Sequence, residues 1–166
     1  MKTIYLIRHA KSDWNNPSIR DIDRPLNSRG QRDAPFMAKM LAGRGAAPDK
    51  LVSSPANRAL TTASYFAAEL GIPLDQILEN KTIYEASPTS LLREISHLDE
   101  QWNCVLLFGH NPTFTDVANR FSNQYIPNMP TCGVCKIESS ATQWAEMDPI
   151  NSQLTEFHFP KQYFPA

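Results

Sequence analysis

The chain has 166 residues, of which 42% are hydrophobic and 20% charged, and its formal net charge is -1. That length and balance fit one folded domain spanning 1–166 and exclude a disordered chain. The small net charge argues against nucleic acid as a partner, and no apolar stretch is long enough to span a bilayer.

The first apolar run, Thr3-Ile4-Tyr5-Leu6-Ile7, reads as a buried strand that ends in Arg8-His9. Met1-Lys2-Thr3 leads straight into it without a signal-peptide cleavage region, so a cytoplasmic protein is expected, and separately a monomer. The polar stretch from Asp13 to Asp23 reads as a loop near the strand end. Asn27 and Ser28 are cap-type residues for a helix carrying Ala34, Met37, Ala38 and Leu41, ended by Gly43 and Gly45. Pro35 either kinks that helix or marks its first turn, with Asp33 as the cap.

Lys50 to Ser53 reads as a short strand. Ser54-Pro55 is expected to open the next helix, with Ser54 as cap and an apolar stripe of Ala59, Ala63, Phe66 and Leu70 closed by Gly71. Thr82-Ile83-Tyr84 is expected as a third strand, and Pro88 to Leu98 as a helix with Leu91, Leu92 and Ile95 inward. Cys104 to Phe108 is a further strand, followed by Gly109-His110-Asn111-Pro112 and a helix capped by Asn111. The tail reads as strands over Gly133 to Glu138, Gln143 to Met147 and Gln153 to Phe159. Strands alternating with helices and then running together imply an α/β sandwich. Its sheet should be mostly parallel, with antiparallel pairing near the end.

Ligands of open α/β sheets sit beyond the carboxyl ends of the strands. Three strand-to-helix junctions carry chemistry there: Arg8-His9, Ser53-Ser54-Pro55 with Arg58, and Gly109-His110-Asn111. Converging, they place two arginines, two histidines and helix starts around one anion site. The sequence G-x-x-x-x-G-K-[ST] is absent, which excludes a nucleotide P-loop. Cys132 and Cys135 have a redox or zinc spacing, but no second pair completes a metal site, and a strand would turn the two thiols to opposite faces. His97, at a helix end, and His158, on a late strand, read as structural. Arg24 and Arg29 read as solvated charges, and Trp14, Trp102 and Trp144 as packing residues.

Leu6-Ile7-Arg8-His9-Ala10-Lys11-Ser12, then Ser53-Ser54-Pro55-x-x-Arg58-Ala59-x-x-Thr62-Ala63, then Gly109-His110-Asn111-Pro112 resemble the histidine phosphatase superfamily. These motifs run in order from residue 6 to residue 112. Arg8-His9-Ala10-Lys11-Ser12, Arg24-Pro25-Leu26-Asn27-x-x-Gly30 and the short chain resemble its SixA-like phosphohistidine phosphatases.

The resemblance implies a phosphoglycerate mutase-like three-layer α/β/α fold. It implies a hydrolase in which His9 is the nucleophile and forms a phosphohistidine intermediate, with Arg8, Arg58 and His110 binding the phosphoryl group. Lys11 and Ser12 are expected at the site mouth. Glu85 stands where the wider superfamily often places its acid and is either that acid or a solvated loop carboxylate; Asp13 is a lesser candidate. No metal or cofactor is expected, since the arginines supply the charge a magnesium ion would bring. The expected partner is a phosphohistidine protein. The alternatives are a small-molecule phosphomonoesterase or phosphomutase, and, in another class, a catalytically silent phosphate-binding module.

Overall fold

The computed structural model describes residues 1–164. Six strands form one sheet: β1 (Lys2–Arg8), β2 (Lys50–Ser53), β3 (Ile77–Glu79), β4 (Cys104–Gly109), β5 (Val134–Ser139) and β6 (Ser152–His158). Their order across the sheet is β3-β2-β4-β1-β5-β6. Strands β1 to β4 run parallel, whereas β5 is antiparallel to both β1 and β6. The helices are α1 (Ser28–Gly43), α2 (Asn57–Leu70), α3 (Pro88–Ser96) and α4 (Thr113–Arg120).

Side chains that alternate along a strand feed opposite faces. Tyr5 and Ile7 of β1 and Leu106 and Phe108 of β4 pack with Met37, Leu41, Ala63 and Phe66 of α1 and α2. Ile4, Leu6, Val105 and Leu107 pack with Leu91 and Ile95 of α3 and Phe114 and Val117 of α4. The molecule is therefore an α/β/α sandwich. No helix among the described residues is long and apolar enough to cross a membrane.

Helix α1 begins where the sequence indicates, with Asn27 Oδ1 accepting the Gly30 N–H at 2.9 Å. Gly30 is required by close approach: a Cβ there would stand 2.2 Å from the Lys11 carbonyl oxygen. Pro35 lies inside this helix, and Asp33 is no cap; it is buried and takes two hydrogen bonds from Arg32. Gly71 closes α2 at a left-handed φ of 72°.

Several expectations are corrected. Helix α2 starts at Asn57 rather than Pro55, because Ser54 Oγ closes a local turn on the Ala56 N–H at 3.1 Å. Leu70, expected in its apolar stripe, is only half-buried. Helix α4 starts at Thr113 with Pro112 at the cap position, although Asn111 Oδ1 still accepts the Thr115 N–H. The third strand is Ile77–Glu79, a short edge strand with two exposed residues and no buried pattern to announce it. Thr82 and Ile83 instead form a 3-10 turn closed by Asn80 Oδ1 on the Thr82 N–H, with Tyr84 following it. The segment from Gln143 to Met147 is no strand: Trp144–Glu146 is a 3-10 turn around a buried tryptophan, whose indole N–H donates to the Asp99 and Trp102 carbonyls.

Cys132 and Cys135 lie in opposite cores, although Cys132 is not on the strand as expected but precedes β5 at a left-handed φ of 58°. Burial pushes both thiols up, Cys135 to about 12.

Candidate active site

Strands β2, β4 and β1 are parallel neighbours, so their carboxyl ends open on one edge of the sheet. β4 enters between β1 and β2, which is the topological reversal where such sheets leave a crevice. The three junctions are tied to one another through the backbone. The His9 N–H donates to the Gly109 carbonyl at 3.0 Å, and the Ser54 N–H to the Phe108 carbonyl at 3.0 Å. The Ala10 N–H donates to Thr62 Oγ1 at 3.0 Å, which fixes the His9 turn against α2.

His9 is buried, 7% exposed, and its Nδ1 lies 2.7 Å from the Ala10 carbonyl oxygen. That oxygen can only accept, so Nδ1 carries the ring proton and Nε2 keeps its lone pair. Burial pushes the His9 pKa down to about 3; the Ala10 carbonyl opposes this shift, and His110, Arg58 and Arg8 add to it. The ring is therefore neutral at neutral pH.

The His110 ring lies 5.3 Å from that of His9, centroid to centroid. Its Nε2 is 2.8 Å from Ser54 Oγ. We assign the Ser54 hydroxyl proton to His110 Nε2, which leaves the ring proton on Nδ1. Burial, with the Arg58 charge second, pushes the His110 pKa down to about 4.

Two guanidinium groups close the cup. Arg8 Nη1 donates to the Met129 carbonyl at 2.8 Å. That carbonyl also accepts Asn111 Nδ2 at 2.9 Å, so the loop before β5 braces both the β1 and the β4 junction. Arg58 is 6% exposed and gives Nη1 to the Asp21 carbonyl and Nη2 to Asp21 Oδ2, at 2.7 and 3.1 Å. The Nε atoms of both arginines and Nδ1 of His110 are buried without a partner among the described residues. Unpaired buried polar groups are costly, and the two arginine Nε–H groups and the His110 nitrogen are chemically suited to an anion.

Glu85 is exposed, at a left-handed φ of 63°, and shares a cavity of about 240 Å³ with His110, Asn111 and Thr113. Ser12 is buried and its hydroxyl takes Arg24 Nη1 at 2.6 Å. Lys11 is half-buried, and its carbonyl accepts the Asn27 N–H ahead of α1. Asp13 Oδ1 closes a local turn on the Asn15 N–H. His97 ends α3, and His158 pairs with Glu156 at 2.9 Å.

Arg24 is not a solvated charge. It is 6% exposed, pairs with Asp21 Oδ1 at 3.1 Å and stacks 3.5 Å from the centre of the Trp14 ring. Trp14 is not a packing residue either, since it is 68% exposed and its contact is with that guanidinium. Arg29 is exposed, as expected, and lies 3.6 Å from Asp33.

The sequence reading missed Asp21, Tyr84, Met129 and the role of Ser54 toward His110. Two buried arginines imply a carboxylate, which could have singled out Asp21 three residues before Arg24. A backbone carbonyl such as that of Met129 leaves no trace in residue type.

The family model for the histidine phosphatase superfamily (branch 1) matches residues 4–81. An uncharacterized protein of Mycobacterium tuberculosis is 31% identical over 93% of this chain and all of its own length. The solved structure of a provisionally named phosphohistidine phosphatase SixA from Agrobacterium tumefaciens superposes with a TM-score of 0.81 and 28% identity. It covers 96% of this chain and 98% of the other. A protein histidine phosphatase SixA solved with tungstate shares the fold, with a TM-score of 0.76 and 19% identity over 93% and 95% of the two chains. With the junction motifs gathered at one sheet edge and these likenesses spanning nearly the whole chain, the protein belongs to the histidine phosphatase superfamily.

Proposed function

We propose that this protein is a phosphatase that works through a phosphohistidine intermediate on His9, with phosphohistidine in a protein as its substrate. The observation that carries the reading is the set of three buried side-chain nitrogens without a partner among the described residues, Arg8 Nε, Arg58 Nε and His110 Nδ1, together with a histidine held in its Nδ1–H form.

In the first step the His9 Nε2 lone pair attacks phosphorus. A P–N bond forms to His9 as the bond to the leaving group breaks. The three donors take the charge that gathers on the equatorial oxygens, where preorganised donors act most strongly. Glu85, in the cavity wall beside His110, is the carboxyl group we assign to protonate an ester leaving group. Water then attacks phosphorus and the electron pair of the P–N bond returns to Nε2; after an ester is cleaved one proton of the water returns to the Glu85 carboxylate, after a phosphohistidine is cleaved both leave on the departing phosphate.

The arginines supply the positive charge for both steps. Among the described residues no three His, Cys, Asp or Glu side chains are grouped to hold a metal ion. Turnover is therefore expected to survive exhaustive treatment with a chelator.

A protein substrate is favoured by the short connections at 54–56 and 110–112, which leave little chain to cover the cup from the ends of β2 and β4. The likeness to the Agrobacterium protein favours the same substrate. The test is turnover of p-nitrophenyl phosphate and of a phosphoramidate, with His9→Ala as control, followed by a panel of phosphohistidine proteins, sugar phosphates and phosphoglycerate. Hydrolysis by the wild-type protein alone, fastest on the phosphohistidine protein, is expected. No hydrolysis of any compound points to a phosphate-binding module, and a preference for phosphoglycerate points to mutase-type chemistry.

A further inference from the structure

The carboxylate of Asp21 is where two buried arginines and a tyrosine meet. Oδ1 takes Arg24 Nε at 3.1 Å, while Oδ2 takes Arg58 Nη2 at 3.1 Å and the Tyr84 hydroxyl at 2.6 Å. The Asp21 carbonyl adds Arg58 Nη1 at 2.7 Å, so both terminal nitrogens of Arg58 are held by one residue. The turn that carries Asp21 is pinned to α2, with Asn57 Nδ2 on the Asp23 carbonyl at 3.1 Å. Tyr84 in turn sets its ring edge-on to His110, 5.6 Å between centroids.

Two roles are open to a carboxylate placed like this. It could occupy the phosphoryl position in the free protein and be displaced by substrate. Against this, Arg58 Nε, Arg8 Nε and His110 Nδ1 all lack partners with Asp21 in place, so the carboxylate lies outside the cup they form. It could instead donate a proton. Against this, its hydrogen bond from Tyr84, with Arg24 and Arg58 adding, lowers its pKa to about 2, and it has no proton to give at neutral pH.

We infer that Asp21 is a positioning residue for phosphoryl binding: it holds the Arg58 guanidinium from its outer side, so that the Nε–H edge stays turned toward the group bound at His9. Arginine is a long side chain, and a fixed fork loses less freedom when its anion arrives. The inference rests on the phosphatase reading for the identity of that anion.

The experiment is titration of tungstate into the wild-type protein, Asp21→Asn, Asp21→Glu, Arg58→Ala, the double variant Asp21→Asn with Arg58→Ala, and Asp23→Asn as a control in the same turn. Among the described residues the Asp23 side chain pairs only with the exposed Arg20, so its variant is expected to bind like the wild type. Loss of one charge-assisted contact weakens binding by about tenfold, so Asp21→Asn is expected to lose that much and to raise KM for p-nitrophenyl phosphate in step. Asp21→Glu, which keeps the charge, recovers most of the loss. In the Arg58→Ala background Asp21→Asn has little left to remove, and its effect falls below about twofold. Tungstate binding by Asp21→Asn as tight as or tighter than the wild type overturns the inference, as does a full loss that persists without Arg58. Wild-type protein that binds tungstate yet hydrolyses nothing ends the phosphatase reading instead and leaves the Asp21 comparison intact.

Discussion

His9 and His110 face each other with their rings 5.3 Å apart, and each has one nitrogen committed elsewhere. His9 spends Nδ1 on the Ala10 carbonyl, and His110 spends Nε2 on Ser54. What remains is one lone pair, on His9 Nε2, and one donor, on His110 Nδ1. On the phosphatase reading proposed above, the lone pair is the nucleophile toward phosphorus and the donor meets one of its oxygens. The neutrality of both rings is part of the device, because a protonated His9 has no lone pair to offer.

That neutrality has a measurable pH dependence. The folded pKa values, about 3 for His9 and about 4 for His110, lie below the ordinary 6.5. Between these values the unfolded chain binds protons that the native protein does not. Stability therefore falls as pH drops from about 6.5 toward 4, by up to two protons' worth of slope. Denaturant unfolding across this range checks the sign. The imidazole resonances of both rings are expected to titrate below pH 5, and a midpoint near 6.5 for either ring contradicts the account.

Arg58→Ala removes the buried Nε–H and the fork that carries it. Loss of one preorganised oxyanion donor typically costs about 10²–10³ in kcat, and that is the expected loss here. Arg58→Lys keeps the charge but not the planar fork and is expected to recover only part of it. Steady-state kinetics, with circular dichroism to show an unchanged fold, decide the point.

Glu85→Gln separates leaving groups. A general acid contributes about 10²–10⁴-fold where the leaving group needs a proton. An alkyl phosphate is expected to lose a rate factor in that range, whereas p-nitrophenyl phosphate, whose leaving group is stable as an anion, loses far less. Equal losses on both substrates would instead mark Glu85 as a residue of binding or structure.

Gly109 is a point of close packing at the end of β4. A Cβ there would stand 2.5 Å from the Phe114 ring and 2.9 Å from Ile83 Cγ2. Gly109→Ala is expected to destabilise by about 1–3 kcal/mol through overpacking. Adding Phe114→Leu, which opens space on the same side, is expected to return part of it. Thermal unfolding of the single and double variants measures both.

The fold was legible wherever hydrophobic period and chain punctuation agreed. β1, β4, α1 and the closing Gly71 follow from patterns that packing on both faces enforces. The misread segments are those held by single contacts rather than by a repeating face. β3 is a short, half-exposed edge strand, and the turn at Trp144 is held by one buried indole. In the site, His9, Arg8, Arg58 and His110 were legible because each stands beside a strand end or a helix start. Their supports were not, because Asp21 lies in a loop without periodicity and Met129 acts through its carbonyl. Arg24 was misjudged because nothing in its neighbourhood in sequence shows that Ser12, Asp21 and Trp14 close around it.

The central claim is that His9 Nε2 carries the phosphoryl group during turnover. The direct measurement is to quench the protein during hydrolysis of a labelled phosphoramidate and locate the label on the chain by mass spectrometry under alkaline conditions. The account predicts an acid-labile, alkali-stable phosphoryl group on His9, absent from His9→Ala. Label on another residue, or full turnover by His9→Ala, contradicts it.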